Sequence, residues 1–236
     1  MNSNKKTGWD ASYFQTSGAL LLAAKEWTSI VENFPYGLGA LILNIFLYQS
    51  ELIPRWLSVW GLIGATLLLA MGLLRLFGHP VIYLAIPLIL NELVLAVWLI
   101  VIGVNSSAIA FSIVGVLFIT ALVSSFLSGN FSGSIDEPDY LTSVSANENK
   151  VLIGVFFQII LTASVVAIPI IMFPILSEHN ESLALGYVVA RIFEGIFDAV
   201  MAISVLLLLT LSREYVKAGT PTAKTDIDEI NEHVYT

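Results

Sequence analysis

Long apolar stretches separated by short polar breaks fill the chain from about residue 30 to residue 211. Six of them have the length and composition of membrane spans. The first runs from about Ile30 to Tyr48, the second from about Ser58 to Phe77, and the third from Val81 to Ile102. At about 1.5 Å per residue the third is about 33 Å long, enough to cross the hydrocarbon. The fourth covers about Ala108 to Leu127, the fifth Val151 to Leu176, and the sixth Leu183 to Leu211. Pro169 and Pro174 are expected to kink or end the fifth. Residues 12–31 read differently. Their apolar core, Gly18 to Ala24, is short, and Lys25 and Glu26 follow it. On a helical wheel Tyr13, Leu20, Ala24, Trp27 and Val31 share one face, while Gln15, Lys25, Ser29 and Glu32 lie towards the other. That pattern predicts an amphipathic interfacial or re-entrant helix more than a span.

The breaks complete the layout. Residues 1–10 read as a polar tail. Residues 11–110 hold the interfacial helix and three spans. Residues 111–217 hold three more spans and a long polar loop at 129–150, rich in Gly, Ser, Asp, Pro and Asn. Residues 218–236 read as an acidic, flexible tail. Between the first two spans, Arg55, Trp56 and Trp60 suit the headgroup layer, where an aromatic body meets a polar edge. The expected fold class is all-α: a polytopic helical membrane protein of six transmembrane helices, three plus three, with an interfacial helix before them.

Composition agrees. The chain is 57% hydrophobic and only 12% charged, against about 45–50% and about 25% for a soluble domain. The net charge of −8 comes largely from Asp136, Glu137 and Asp139 in the long loop and from the tail after Pro221. No basic cluster points to nucleic acid. There is no cysteine, which excludes disulfides, thiolate metal sites and thiol nucleophiles. His79, His179 and His233 are far apart and form no metal-ligand spacing. No nucleophile-elbow motif is present. The expectation is a protein that is not an enzyme and needs no cofactor or metal. Its partners are the lipid bilayer and a small solute or ion; the oligomeric state is not legible. Lys5, Lys6, Arg213, Lys217 and Lys224 would share a side, with Arg55 on the other. That bias predicts a multi-pass protein of the cell membrane with both termini in the cytoplasm.

Charges inside spans are the chemically informative feature. One at mid-bilayer costs about 2.5–3.5 kcal/mol on insertion scales, so it faces the bundle interior and has a partner. The sixth span carries Arg191, Glu194 and Asp198, spaced to stack on one helical face. The third holds Asn91 and Glu92, and the fifth holds Gln158. These six form a candidate buried polar cluster. Two readings stand. Glu92, Glu194 and Asp198 bind a cation or carry protons, with Arg191 tuning them; or Arg191 neutralises carboxylates and staples the helices together. A third, a partner or sensor role through the acidic loop and tail, is also open.

Several long stretches resemble one family. They are LIPRWLSVWGLIG (52–64), NELVLAVWLIVIGVN (91–105), YLTSVSANENKVLIG (140–154), ALGYVVARIFEG (184–195) and TLSREYVKAGTP (210–221). Together they resemble the bacterial integral-membrane family called domain of unknown function 4386, over nearly everything from Asp10 to Pro221. The resemblance implies a multi-spanning membrane protein and carries no agreed site residues. Against the family's usual order, the block from 111 to 221 and the block from 10 to 110 are exchanged, as in a circular permutation. Joining 104–110 directly to Phe111 puts the old ends close together on one side of the bilayer. That requires an even number of spans, and so a segment 12–31 that does not cross.

Overall fold

The computed structural model describes residues 4–79, 81–106, 109–131 and 139–219. Every long element among them is a helix. These are α1 (Asn4–Ser50), α2 (Arg55–Leu76), a 3₁₀ turn (Ile82–Ala85), α3 (Ile86–Ser106), α4 (Ile109–Phe131), α5 (Tyr140–Ala146) and α6 (Glu148–Gly219). Five of them are long and apolar enough to cross a membrane. The fifth, α6, is a hairpin. Its backbone leaves the helical region at Asn180 (φ −159°, ψ 100°). Side chains then meet across two antiparallel arms, 148–179 and 181–219: Glu148 with Arg213, Gln158 with Asp198, and Val166 against Gly195. Five helices thus supply six rods.

Burial is inverted relative to a soluble protein. Ile63, Val97, Val116, Phe193 and Ile203 are exposed on the outside of the bundle, while Asn91, Arg191, Glu194 and Asp198 are buried within it. Water would penalise such a surface and lipid does not. The protein is therefore a membrane-embedded helical bundle.

Local chemistry sets the ends of the rods. α2 starts after Pro54, whose ring fixes φ near its helix-entry value. It closes in a Schellman motif. Gly78 N–H donates to Arg75 O and His79 N–H to Leu74 O, with Gly78 at φ +80°. The second arm of α6 is capped by Asn180, whose Oδ1 accepts from Leu183 N–H at 3.0 Å. Close packing depends on glycine at two crossings. A Cβ on Gly64 would lie 2.8 Å from Leu88 Cα, and one on Gly115 would lie 2.5 Å from the Ala96 carbonyl oxygen. Small residues let transmembrane backbones approach this closely.

The first helix departs from expectation. Residues 12–31 are not a separate interfacial helix. They continue without a break into α1, about 70 Å of helix at about 1.5 Å per residue. α1 runs antiparallel along the second arm of α6, with Phe14 against Tyr215, Gly39 beside Ala190 and Ile42 against Gly186. On the expected apolar face, Tyr13, Leu20 and Trp27 point outward, where lipid would meet them. Phe14, Leu21 and Leu22 pack on a buried layer of Leu141, Val144, Val151 and Leu208. Nothing between 12 and 50 breaks a helix strongly enough to divide it; even Pro35 lies inside α1. The polar tail likewise gives way to helix from Asn4 onward.

Two further expectations are corrected. Pro169 and Pro174 lie inside the first arm of α6, and the break falls at Asn180 instead. The loop 129–150 contains α5, held by burial of Leu141 and Val144; residues 132–138 and the tail from 220 lie outside the described residues. The headgroup anchors form one group, with Arg55 and Trp56 exposed and Trp60 half-buried against the core. Arg55 pairs with Glu51 and covers Tyr48 at 5.7 Å, and the Trp56 and Trp60 rings stack at 6.3 Å.

Candidate functional site

Four elements deliver polar side chains to the interior. The second arm of α6 supplies Arg191, Glu194 and Asp198, which its helical spacing stacks on the inward face. α3 brings Glu92, α1 brings Glu32 and Tyr36, and the first arm of α6 brings Gln158.

Arg191 is the hub of one half. Its Nη1 donates to both carboxylate oxygens of Glu194, at 2.9 and 2.8 Å. Its Nη2 lies 3.7 Å from Glu92 Oε1. Its guanidinium covers the rings of Tyr36, Phe118 and Tyr187 at 5.4, 5.9 and 5.7 Å. The second oxygen of Glu92 accepts from the Tyr36 hydroxyl at 2.8 Å. This half ties α1, α3 and α6 together. A planar five-donor fork suits such a post better than a lysine would.

The other half is differently supplied. Ser128 Oγ donates to Gln158 Oε1 at 2.8 Å, and Gln158 Nε2 donates to Asp198 Oδ1 at 2.7 Å. Asp198 Oδ2 is buried with no hydrogen-bond partner. Glu32 stands in the field of Asp198 and Glu194, which Arg75 opposes more weakly. Arg75 itself reaches the carbonyl and hydroxyl of Ser29 at 3.4–3.5 Å.

Both halves line one cavity of about 370 Å³. Its polar wall is Glu32 and Tyr36 of α1, Glu92 of α3, and Arg191, Glu194 and Asp198 of α6. Its apolar wall is Phe118, Leu122 and Phe126 of α4 with Leu161, Val165 and Ile168 of α6. A second cavity of about 260 Å³ adjoins it, lined by Lys25, Ser128, Gly129, Gln158 and Met201. Ser125 borders both, and the Ser128–Gln158–Asp198 chain lies between them. Among the described residues no three His, Asp or Glu side chains converge closely enough to hold a metal ion.

Of the six sequence candidates, Glu92, Arg191, Glu194 and Asp198 meet around the larger cavity, and Gln158 reaches it through Asp198. Asn91 does not. Its amide donates to Leu57 O at 2.8 Å and joins α3 to α2. Spacing alone singles out neither Glu32 nor Tyr36: Glu32 falls on the polar face of the expected interfacial helix, and a neutral tyrosine gives no signal until its partner 56 residues away is known.

No curated protein and no solved structure matches the chain. A family match covers residues 3–103 and 113–234, nearly its whole length. The family is described only as a domain of unknown function. By that match the chain belongs to the DUF4386 family.

Proposed function

We propose that the protein is a non-enzymatic transport module that admits a proton or a small cationic solute to the cavity between α1, α3, α4 and α6. One observation carries this reading. Glu32, Glu92, Glu194 and Asp198 gather in one buried cavity, faced by the guanidinium of Arg191, while Arg75, outside the lining, acts on Glu32 more weakly. Four carboxylates against two guanidiniums leave an excess of negative charge where each ion is costly. A cation or protons remove that excess.

The staple reading accounts for half of the cluster. Arg191, Glu92, Glu194 and Tyr36 bind one another across helices and hold the bundle in register. Glu32 and Asp198 have no such closure, and they are the working carboxylates. The smaller cavity leads from Lys25 and Gly129 to Gln158, which supports entry from the face where α1 begins and α6 ends. Arg75, Lys150 and Arg213 cluster towards that face and Arg55 lies at the other, which supports a cytoplasmic position for it. The matched segments part at residues 104–112, in keeping with an exchange of blocks at that junction.

The test is flux. Proteoliposomes loaded with a pH-sensitive dye and polarised by a potassium gradient are expected to acidify faster than empty vesicles. Asp198→Asn is expected to slow this by about tenfold or more, as loss of a buried charge within a polar pathway does. Equal rates in empty vesicles, wild type and Asp198→Asn would remove the proposal.

A further inference from the structure

Resting on that transport reading, we infer that the larger cavity takes an organic ammonium ion with an apolar body. Its nitrogen would sit beside Asp198 and Glu32, and its body would lie along Leu122, Phe126, Leu161 and Val165. Three observations lead there.

The first is the unpartnered oxygen. Asp198 is 1% exposed, lines the cavity, and spends one carboxylate oxygen on Gln158 while Oδ2 has no partner. A buried carboxylate oxygen without a donor is costly, and an ammonium N–H is a donor of the right charge. The second is the two-sidedness of the cavity. An inorganic cation such as calcium takes six to eight oxygen ligands around it. Here carboxylates occupy one wall and α4 with the first arm of α6 presents hydrocarbon on the other. No three carboxylates converge on a metal-sized point among the described residues. The third is size and access. About 370 Å³ lies at the small end of cavities that hold organic ligands, which span about 300–1,000 Å³. Phe126 lines this cavity and is 71% exposed, so the cavity reaches the outer surface of the bundle there. A ligand with a lipid-compatible body meets a lipid-compatible entrance.

Anions are disfavoured on the same grounds. Arg191, the guanidinium on the wall, is already held by both oxygens of Glu194 and faces Glu92. An incoming carboxylate or phosphate would meet four acidic side chains.

Titration calorimetry on the full chain in lipid nanodiscs tests this with benzylammonium, benzyl alcohol and sodium ions. Benzylammonium is expected to bind saturably. Benzyl alcohol is expected to show only the partitioning seen with empty nanodiscs, and sodium no saturable heat. Asp198→Asn is expected to weaken benzylammonium by about tenfold or more through loss of a charge-assisted hydrogen bond. Leu161→Phe, which leaves every charge in place and fills the apolar wall, is expected to weaken it as well. Because the alcohol comparison needs only wild type, a misfolded variant does not rescue the inference. It is overturned if ammonium and alcohol behave alike in wild type, or if both folded variants bind as wild type does. Proton flux in wild type without benzylammonium binding overturns this inference and leaves the transport reading standing. Absence of both removes both.

Discussion

Replacing Arg191 by Met removes the guanidinium and keeps most of the side-chain volume. Wild type holds Glu194 by two bonds of 2.8–2.9 Å and Glu92 at 3.7 Å, all from this one group. Arg191, Glu92 and Glu194 are each less than 10% exposed. The substitution therefore leaves two buried carboxylates without their counter-charge. Breaking a buried pair by removing one partner costs about 3–5 kcal/mol. That is about 10²- to 10⁴-fold in the folding equilibrium. Replacing both members of a buried pair by apolar residues is far milder, often neutral. The double variant Arg191→Met with Glu194→Met should therefore be more stable than Arg191→Met alone, by about 2 kcal/mol, with Glu92 still bound to Tyr36. Equilibrium unfolding in mixed micelles of increasing denaturing-detergent fraction, followed by circular dichroism, measures all three proteins. If Arg191→Met unfolds within about 1 kcal/mol of wild type, the carboxylates are not held by that arginine. If the double variant is the less stable one, the pair is not the unit described above.

Other outcomes follow from packing and capping. Gly115→Val places a branched side chain 2.5 Å from a backbone oxygen of α3; a loss of about 1–3 kcal/mol is expected in the same unfolding assay, since backbone cannot yield as a side chain does. Asn180→Ala removes the acceptor for Leu183 N–H at the hairpin and should cost about 1 kcal/mol, with Asn180→Ser nearly neutral. Glu148→Gln breaks a half-exposed pair with Arg213 and should change stability by less than about 1 kcal/mol, with most of the effect lost in high salt.

The rods were legible because apolar runs of membrane length have few other uses, and α2, α3, α4 and both arms of α6 fall where those runs lie. α1 was not. Lys25 and Glu26 interrupt its hydropathy, but one borders the smaller cavity and the other is exposed, so neither breaks the helix. Helical periodicity gave residues 12–31 an apolar face, which points outward at Tyr13, Leu20 and Trp27; it did not show that Phe14, Leu21 and Leu22 pack on the layer around Leu141 and Leu208. α5 was hidden by the Gly and Ser around it. The prolines misled in the opposite direction: a helix packed on its neighbours carries Pro169 and Pro174, and an extended asparagine makes the turn. Within the cluster, the Arg191–Glu194–Asp198 face was readable from spacing alone. Which carboxylate the arginine satisfies, and which it leaves open, depends on contacts between helices far apart in sequence.

The absence of cysteine permits a direct reading of the cavity. Ser125→Cys introduces a single thiol where the two cavities meet. Its rate of modification in native-like membranes can be compared for two small methanethiosulfonate reagents, one bearing an ammonium and one a sulfonate. An acidic, cation-admitting cavity predicts that the ammonium reagent reacts faster by about tenfold or more, and that Asp198→Asn in the same background reduces the ratio towards unity. Equal rates for the two reagents, or a ratio unchanged by Asp198→Asn, would contradict the account.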